Sequence, residues 1–157
     1  MNNPQIRALY KSGVTQVVKG NIDSAGIYFE RGLALAISSN EQFLTATGLY
    51  HQSYFYEQKH DLSQALSSLG ESLSIFESLG KKINVGNCYN SFNRIYQTLG
   101  NYSKALSYGL QALRIKEELN DLRGLAMRNL ARVRACARDD QLGLMLARQP
   151  GDLVEVE

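Results

Sequence analysis

The sequence predicts an all-α protein made of three helical hairpins and a C-terminal capping helix, stacked into an α-α superhelix. The first observation is a repeat of 40 residues that runs through most of the 157-residue chain. The second is the spacing of apolar residues within each repeat, which follows the turns of a helix. The third is that the only two prolines, Pro4 and Pro150, lie near the chain ends, away from helix interiors that proline would break.

The repeat is clearest in three alanines that stand 40 positions apart, at Ala25, Ala65 and Ala105. Each alanine closes a short segment that begins with Asn or Asp, at positions 21, 61 and 101. Large apolar residues keep the same register, as at Leu33, Leu73 and Leu113. One hairpin buries too little apolar surface to be stable alone, so neighbouring hairpins must stack into a continuous core.

Seven helices follow from the apolar spacing and the turn residues. They are expected at residues 4–19, 22–38, 41–58, 61–79, 81–98, 101–119 and 122–138. Gly20 and Gly100 suit the left-handed residue that ends a helix, and His60 holds the same place in the second repeat. The side chains of Asn21, Asp61 and Asn101 are placed to cap the helices that follow them.

Pairs of these helices form repeats at about 5–40, 41–80 and 81–120, inside one domain of residues 1–147. The helix at about 122–138 is expected to cap the last repeat. Residues 148–157 are acidic and contain Pro150 and Gly151, so they are expected to form a disordered tail. A sharper hypothesis is that this tail imitates an acidic ligand of the same protein.

Nothing in the composition or the motifs supports an enzyme. The sequence has no phosphate-binding glycine loop, dinucleotide glycine pattern or nucleophile elbow. His51 and His60 lack the spacing of metal ligands and are expected at the surface or in turns, so neither a metal nor another cofactor is expected. Cys88 and Cys136 are expected to be buried and reduced. Without a signal peptide or a long apolar run, we expect a cytoplasmic protein with no membrane partner.

Charge is distributed unevenly along the chain. The net charge is +2 overall, but it is −2 over residues 1–80, +8 over residues 81–138 and −4 over residues 139–157. The basic stretch favours an acidic partner, although arginines near the end of a helix also suit its dipole. Binding of nucleic acid is not expected, because the net charge is small and no nucleic-acid motif accompanies the arginines.

Residues 89–106 carry the strongest family resemblance. Their order of Tyr89, Phe92, Tyr96, Gly100 and Ala105 resembles the tetratricopeptide repeat (TPR) family, and the resemblance extends over roughly residues 5–138. The 40-residue unit is longer than the usual one of about 34 residues. It is similar to the long-helix branch found in kinesin light chains and bacterial signalling proteins. The resemblance implies a TPR-like solenoid whose concave groove is built from the first helix of each repeat and binds peptides.

The resemblance also implies which side chains line that groove. The candidates are Tyr10, Val14, Tyr50, Tyr54, Asn87, Asn90, Arg94, Gln97 and Arg134, with Val17 and Glu57 beside them. Asparagine amides can pair with both polar groups of an extended backbone, and arginine offers a planar fork to carboxylates. Two alternatives stay open: the tyrosines pack between hairpins, and the polar residues of the third repeat form only a solvated surface.

The expected function is a protein–protein interaction module, an adaptor or scaffold that holds a peptide or protein segment in the groove. Tyr10 and Val14 stand where chaperone-binding members of the family carry a carboxylate clamp, so a chaperone C-terminus is not the expected ligand. A homodimer through the terminal helices stays open. The alternatives are a regulatory or sensory protein of a bacterial signalling system and a secretion chaperone of the same repeat type.

Overall fold

The computed structural model describes residues 3–120 and residue 122, and nearly all of these residues are helical. The helices are α1 (Pro4–Val18), α2 (Ile22–Ser38), α3 (Gln42–Gln58), α4 (Leu62–Ser78) and α5 (Lys82–Thr98), followed by α6 at residues 102–120. This part of the chain contains no strand. The all-α fold of stacked helical hairpins is therefore confirmed. Arg134, Cys136, the capping helix and the acidic tail lie outside the described residues.

The observed helices begin and end within one residue of the predicted ones. The repeat is also exact in the structure, since α2 and α4 begin 40 residues apart, as do α3 and α5. Each of these four helices has 17 residues. Positions 40 residues apart therefore lie at equivalent places on α2 and α4 and on α3 and α5. These helices can be compared residue by residue.

Each turn between two helices has one residue with a positive φ angle. These residues are Gly20, Asn40, His60, Gly80 and Gly100, with φ between 54° and 79°. The amide of the residue after each of them donates to a carbonyl five positions back, as from Asn21 to Gln16 at 2.9 Å. A residue with a positive φ angle followed by this hydrogen bond is the Schellman motif, which ends a helix. His60 is in a turn as the sequence predicted.

We expect His60→Gly to raise the free energy of unfolding by about 0.5–1 kcal/mol, because a side chain at a φ of 60° crowds the backbone and glycine removes that strain. Urea unfolding followed by circular dichroism would measure the change. Asn40→Gly is the matched control and should gain less, because asparagine tolerates this conformation better. A lower midpoint for His60→Gly would contradict the prediction.

The predicted helix caps are confirmed at two positions and wrong at one. The Asp61 carboxylate accepts from the Gln64 amide at 3.1 Å, and the Asn101 side chain accepts from the Lys104 amide at 3.2 Å. Asn21 stands at the start of α2 but makes no such bond. Its side-chain amide donates instead to the side-chain oxygen of Gln16 at 3.1 Å, which links the turn to the end of α1.

The core lies between consecutive helices, because α1 packs on α2, α2 on α3, α3 on α4 and α4 on α5. One buried cluster joins the first hairpin to α3: Ile6, Tyr10, Ala25, Phe29, Ala36 and Leu44. A second cluster joins α3, α4 and α5: Ala46, Ala65, Leu69, Phe76, Val85, Cys88, Phe92 and Ile95. The repeated alanines Ala25, Ala65 and Ala105 are all buried, as expected for positions where helices approach closely.

Cys88 is a free, buried thiol, as predicted. Burial raises the pKa of its thiol from 9.0 to about 11, and the thiol lies 3.8 Å from the hydroxyl of Ser72. A thiol that stays protonated at neutral pH is a poor nucleophile and a poor metal ligand. Across residues 3–120 and 122, no helix is long and apolar enough to cross a membrane.

Candidate functional site

Three equivalent positions on α1, α3 and α5 carry side chains that solvent reaches. They are Val14, Tyr54 and Arg94, which stand 40 residues apart. Val14 is 42% exposed, Tyr54 is partly buried and the Arg94 side chain is 50% exposed. Because α1 packs against α3 and side-chain hydrogen bonds join α3 to α5, this row runs from an apolar to a cationic side chain. The row and its neighbours form the candidate face: Val14, Tyr50, Tyr54, Glu57, Asn87, Asn90, Arg94 and Gln97.

The strongest polar contact of the candidate face joins Arg94 to Glu57. The Nε of Arg94 donates to Oε1 of Glu57 at 2.6 Å, and Nη2 donates to Oε2 at 2.7 Å. The Glu57 side chain is only 11% exposed. Hydrogen bonding to this carboxylate raises the pKa of Arg94 above its usual value. The guanidinium is thus held in one orientation from α3, and it lies close enough to Tyr50 and Tyr54 to interact electrostatically with their hydroxyls.

Tyr50 is partly buried and uses its hydroxyl within the protein. The Ser91 hydroxyl donates to the Tyr50 oxygen at 3.3 Å, which links α3 to α5. The ring also packs against the second core cluster. Tyr50 therefore packs between helices and stays partly exposed, and its contact with a ligand remains a prediction.

Tyr10 does not lie on the candidate face, and its assignment to the groove is wrong. It is only 4% exposed, and its hydroxyl donates to the Leu44 carbonyl at 2.8 Å. The ring fits between α2 and α3 because Gly32 and Gly48 have no side chains there. A methyl group at Gly48 would lie 3.0 Å from the Tyr10 Cζ atom and closer still to its hydroxyl. Burial raises the pKa of the Tyr10 hydroxyl well above its usual range.

In the next hairpin, the space that would correspond to the one occupied by the Tyr10 ring holds other side chains, and Tyr50 lies nearer the surface. The positions equivalent to Gly32 and Gly48 are Ser72 and Cys88. Both are buried, and the Ser72 hydroxyl donates to the Ala46 carbonyl at 2.8 Å. The two tyrosines therefore differ in the residues that face them, which are two glycines for Tyr10, and Ser72 and Cys88 for Tyr50.

The polar residues of α5 divide into exposed and engaged side chains. Asn87 and Asn90 are exposed on the candidate face, as the sequence predicted for a binding or solvated surface. Gln97 is exposed too, but its amide donates to Asn93 at 2.7 Å, and Asn93 donates to the Ala105 carbonyl at 2.6 Å. Asn93, which the sequence did not single out, therefore ties α5 to α6.

His51 lies inside α3 and is partly buried among aromatic rings, so the prediction of a surface or turn position is wrong. Its ring stacks on Phe29 with centroids 4.8 Å apart, and the rings of Tyr10 and Tyr50 lie at 5.4 Å and 6.0 Å. Burial lowers the pKa of His51 from 6.5 to about 4, so the imidazole is neutral at physiological pH. Throughout the described ranges, no group of three or more His, Cys, Asp or Glu side chains could hold a metal ion.

These features define a helical-hairpin repeat protein. The sequence model of the tetratricopeptide repeat family matches residues 44–118. The resemblance noted in the sequence is confirmed there. No curated protein matches the chain.

Among solved structures, 31 chains match. One is BtubC (BKLC) from P. vanneervenii, with a TM-score of 0.50 and 15% identity over 73% of this chain. This protein spans 64% of the length of that structure. At such low identity the likeness supports the fold alone.

Proposed function

We propose that the protein is an interaction module whose candidate face holds an extended segment of a partner protein. Tetratricopeptide repeats generally mediate protein–protein interaction, and the sequence model of that family matches residues 44–118. The partner role, the adaptor function, the absence of catalysis and the cytoplasmic location are parts of this proposal. A homodimer through the terminal helices remains a sequence-based prediction.

The observation that carries the proposal is the fixed orientation of Arg94 beside exposed amides. Glu57 holds the guanidinium by two hydrogen bonds, and Asn90 and Asn87 are exposed one and two turns earlier on α5, respectively. A side chain that is already ordered loses little conformational entropy when it binds a ligand. Together with Val14 and Tyr54, these groups offer both apolar contact and hydrogen bonds to an extended chain.

The test is a selection of random linear peptides on the immobilised full chain. We expect enriched peptides to bind the Asn90→Ala/Arg94→Ala double variant at least about tenfold more weakly, which corresponds to about 1.4 kcal/mol. The matched control is Arg31→Ala/Ser67→Ala, which removes exposed side chains from α2 and α4 and should leave affinity unchanged. Circular dichroism should show equal helicity for all three proteins. Equal affinity of the double variant, or no enrichment on the wild type, would contradict the proposal.

A further inference from the structure

Arg94 has hydrogen-bonding capacity left after it binds Glu57. A guanidinium has five N–H groups, and the contacts with Oε1 and Oε2 use two of them. The side chain is 50% exposed while Glu57 is 11% exposed, so solvent reaches the arginine much more than the carboxylate. The guanidinium therefore presents donors to a ligand from a position that α3 fixes.

The positive charge of Arg94 is compensated by the neighbouring carboxylate of Glu57. Glu57 is the only charged residue of α3, and α5 contains Lys82 and Arg94 but no acidic residue. On α1, Arg7 occupies the position equivalent to Asn87 and lies about 10 Å along the helix from Val14. This distance is comparable to the Debye length in physiological salt. Within α3 and α5, Arg94 is therefore one member of an ion pair and not a free cation.

An ion pair of this kind discriminates against a charged ligand. A ligand carboxylate near Arg94 would also be repelled by Glu57 a few ångströms farther away, which cancels roughly half of the Coulomb attraction because that energy falls with distance. The carboxylate would still lose part of its hydration. A backbone carbonyl accepts the same hydrogen bonds and has no net charge to desolvate.

We infer that the Arg94–Glu57 pair is a charge-neutral anchor for an uncharged, extended peptide segment, which it holds by a backbone carbonyl while Val14 and Tyr54 contact an apolar side chain of the same segment. This inference rests on the proposed function and names its ligand chemistry. It also revises the expectation of an acidic partner, which was drawn from the net charge of residues 81–138 without knowledge of the Glu57 contact.

The size of the segment follows from helix spacing. Packed helices lie about 8–10 Å apart, and an extended chain advances about 3.3 Å per residue. About three ligand residues therefore pass each helix, and about six connect the level of Val14 to that of Arg94. The exposed amides of Asn87 and Asn90 can pair with N–H and C=O groups along this path.

The test uses the peptides enriched on the full-length wild-type chain. We expect them to show no excess of Asp or Glu over the starting library and to change affinity less than about twofold between low and high NaCl, because few ions are released when a neutral ligand binds. Arg94→Lys should weaken binding about tenfold, since a lysine keeps the charge but loses the planar fork.

Glu57→Gln gives the sharpest result, because it frees the charge of Arg94 while keeping a similar side-chain shape. A selection on this variant should enrich acidic peptides whose affinity falls several-fold with added salt. Glu71→Gln removes an exposed carboxylate from α4 and is the matched control, with peptides like those of the wild type.

The outcomes separate the inference from the function beneath it. Acidic, strongly salt-dependent peptides on the wild type, or an unchanged selection on Glu57→Gln, would overturn the neutral anchor while leaving peptide binding intact. Peptides that bind the Asn90→Ala/Arg94→Ala variant as tightly as the wild type would instead refute binding at the candidate face.

Discussion

Truncation of Tyr10 to alanine is expected to lower the free energy of unfolding by about 3–5 kcal/mol, the range for a fully buried aromatic side chain. The ring is 4% exposed, and the variant also loses the hydrogen bond to the Leu44 carbonyl. Tyr50→Ala, at the equivalent position of α3, should cost only about 1–2 kcal/mol because that ring is partly buried. Urea unfolding followed by far-ultraviolet circular dichroism compares the two. Equal losses would show that the burial difference is not what sets them.

Gly48→Ala tests the steric cause of this difference. The added methyl group meets Tyr10 and lies 3.0 Å from the Leu33 Cδ1 atom, so we expect a loss of about 1–3 kcal/mol despite the better helix propensity of alanine. In the Tyr10→Ala background the methyl group has room, and the same substitution should be nearly neutral. A loss that persists in that background would identify Leu33 as the residue that requires glycine.

Acidification from pH 6.5 to pH 4 is expected to remove up to about 3 kcal/mol of stability through His51 alone. Its pKa is 6.5 when the chain is unfolded and about 4 in the fold, and each pKa unit corresponds to about 1.4 kcal/mol. In this window the unfolded chain takes up the proton first, so protonation pulls the protein towards unfolding. The contribution is complete above pH 6.5, falls as the pH drops, and is constant below about pH 4.

The measurement is the free energy of unfolding between pH 7 and pH 4 for the wild type and His51→Leu. The variant should lose most of the slope between pH 6.5 and pH 4, although carboxylates still titrate at the acid end. His60→Asn replaces the other histidine of the chain, which is exposed in a turn, and is the matched control. If His51→Leu keeps the wild-type slope as well, the acid sensitivity arises from another group.

The helices could be predicted almost to the residue because the sequence marks their ends with short-range chemistry. Gly20, Gly80 and Gly100 supply left-handed turns, and Asp61 and Asn101 supply side-chain caps. These signals act within five or six residues, so they can be recognised without any knowledge of the tertiary fold. The 40-residue spacing then places equivalent helices in equivalent positions.

The candidate site could be predicted only in part, because side-chain placement depends on neighbours in other helices. Tyr10 and Tyr50 hold the same register, and the sequence grouped them together. A difference between their surroundings is the change from Gly32 and Gly48 to Ser72 and Cys88, which lie on the two helices that follow each tyrosine. This difference is visible when the repeats are aligned, but its relation to the burial of the tyrosines can be inferred only once the facing helix positions are known.

Contacts between helices of different repeats were the hardest to foresee. Glu57 and Arg94 are 37 residues apart, so their side chains meet one turn out of register with the 40-residue repeat. His51 gave no local sign of burial, since Lys11 and Ser91 stand at the equivalent positions and neither is aromatic. Its environment is made by Phe29 and Tyr10, which come from two other helices.

The left-handed turns at Gly20, Asn40, His60, Gly80 and Gly100 divide the described chain into equal 20-residue steps. An insertion or deletion of one residue inside a helix would rotate the later side chains of that helix by about 100° about its axis. A whole copy of residues 41–80, joined at these turns, would preserve the phase and add one more position to the row formed by Val14, Tyr54 and Arg94. The structure thus favours growth by duplication of complete units, and the length of ligand it can hold would grow in discrete increments.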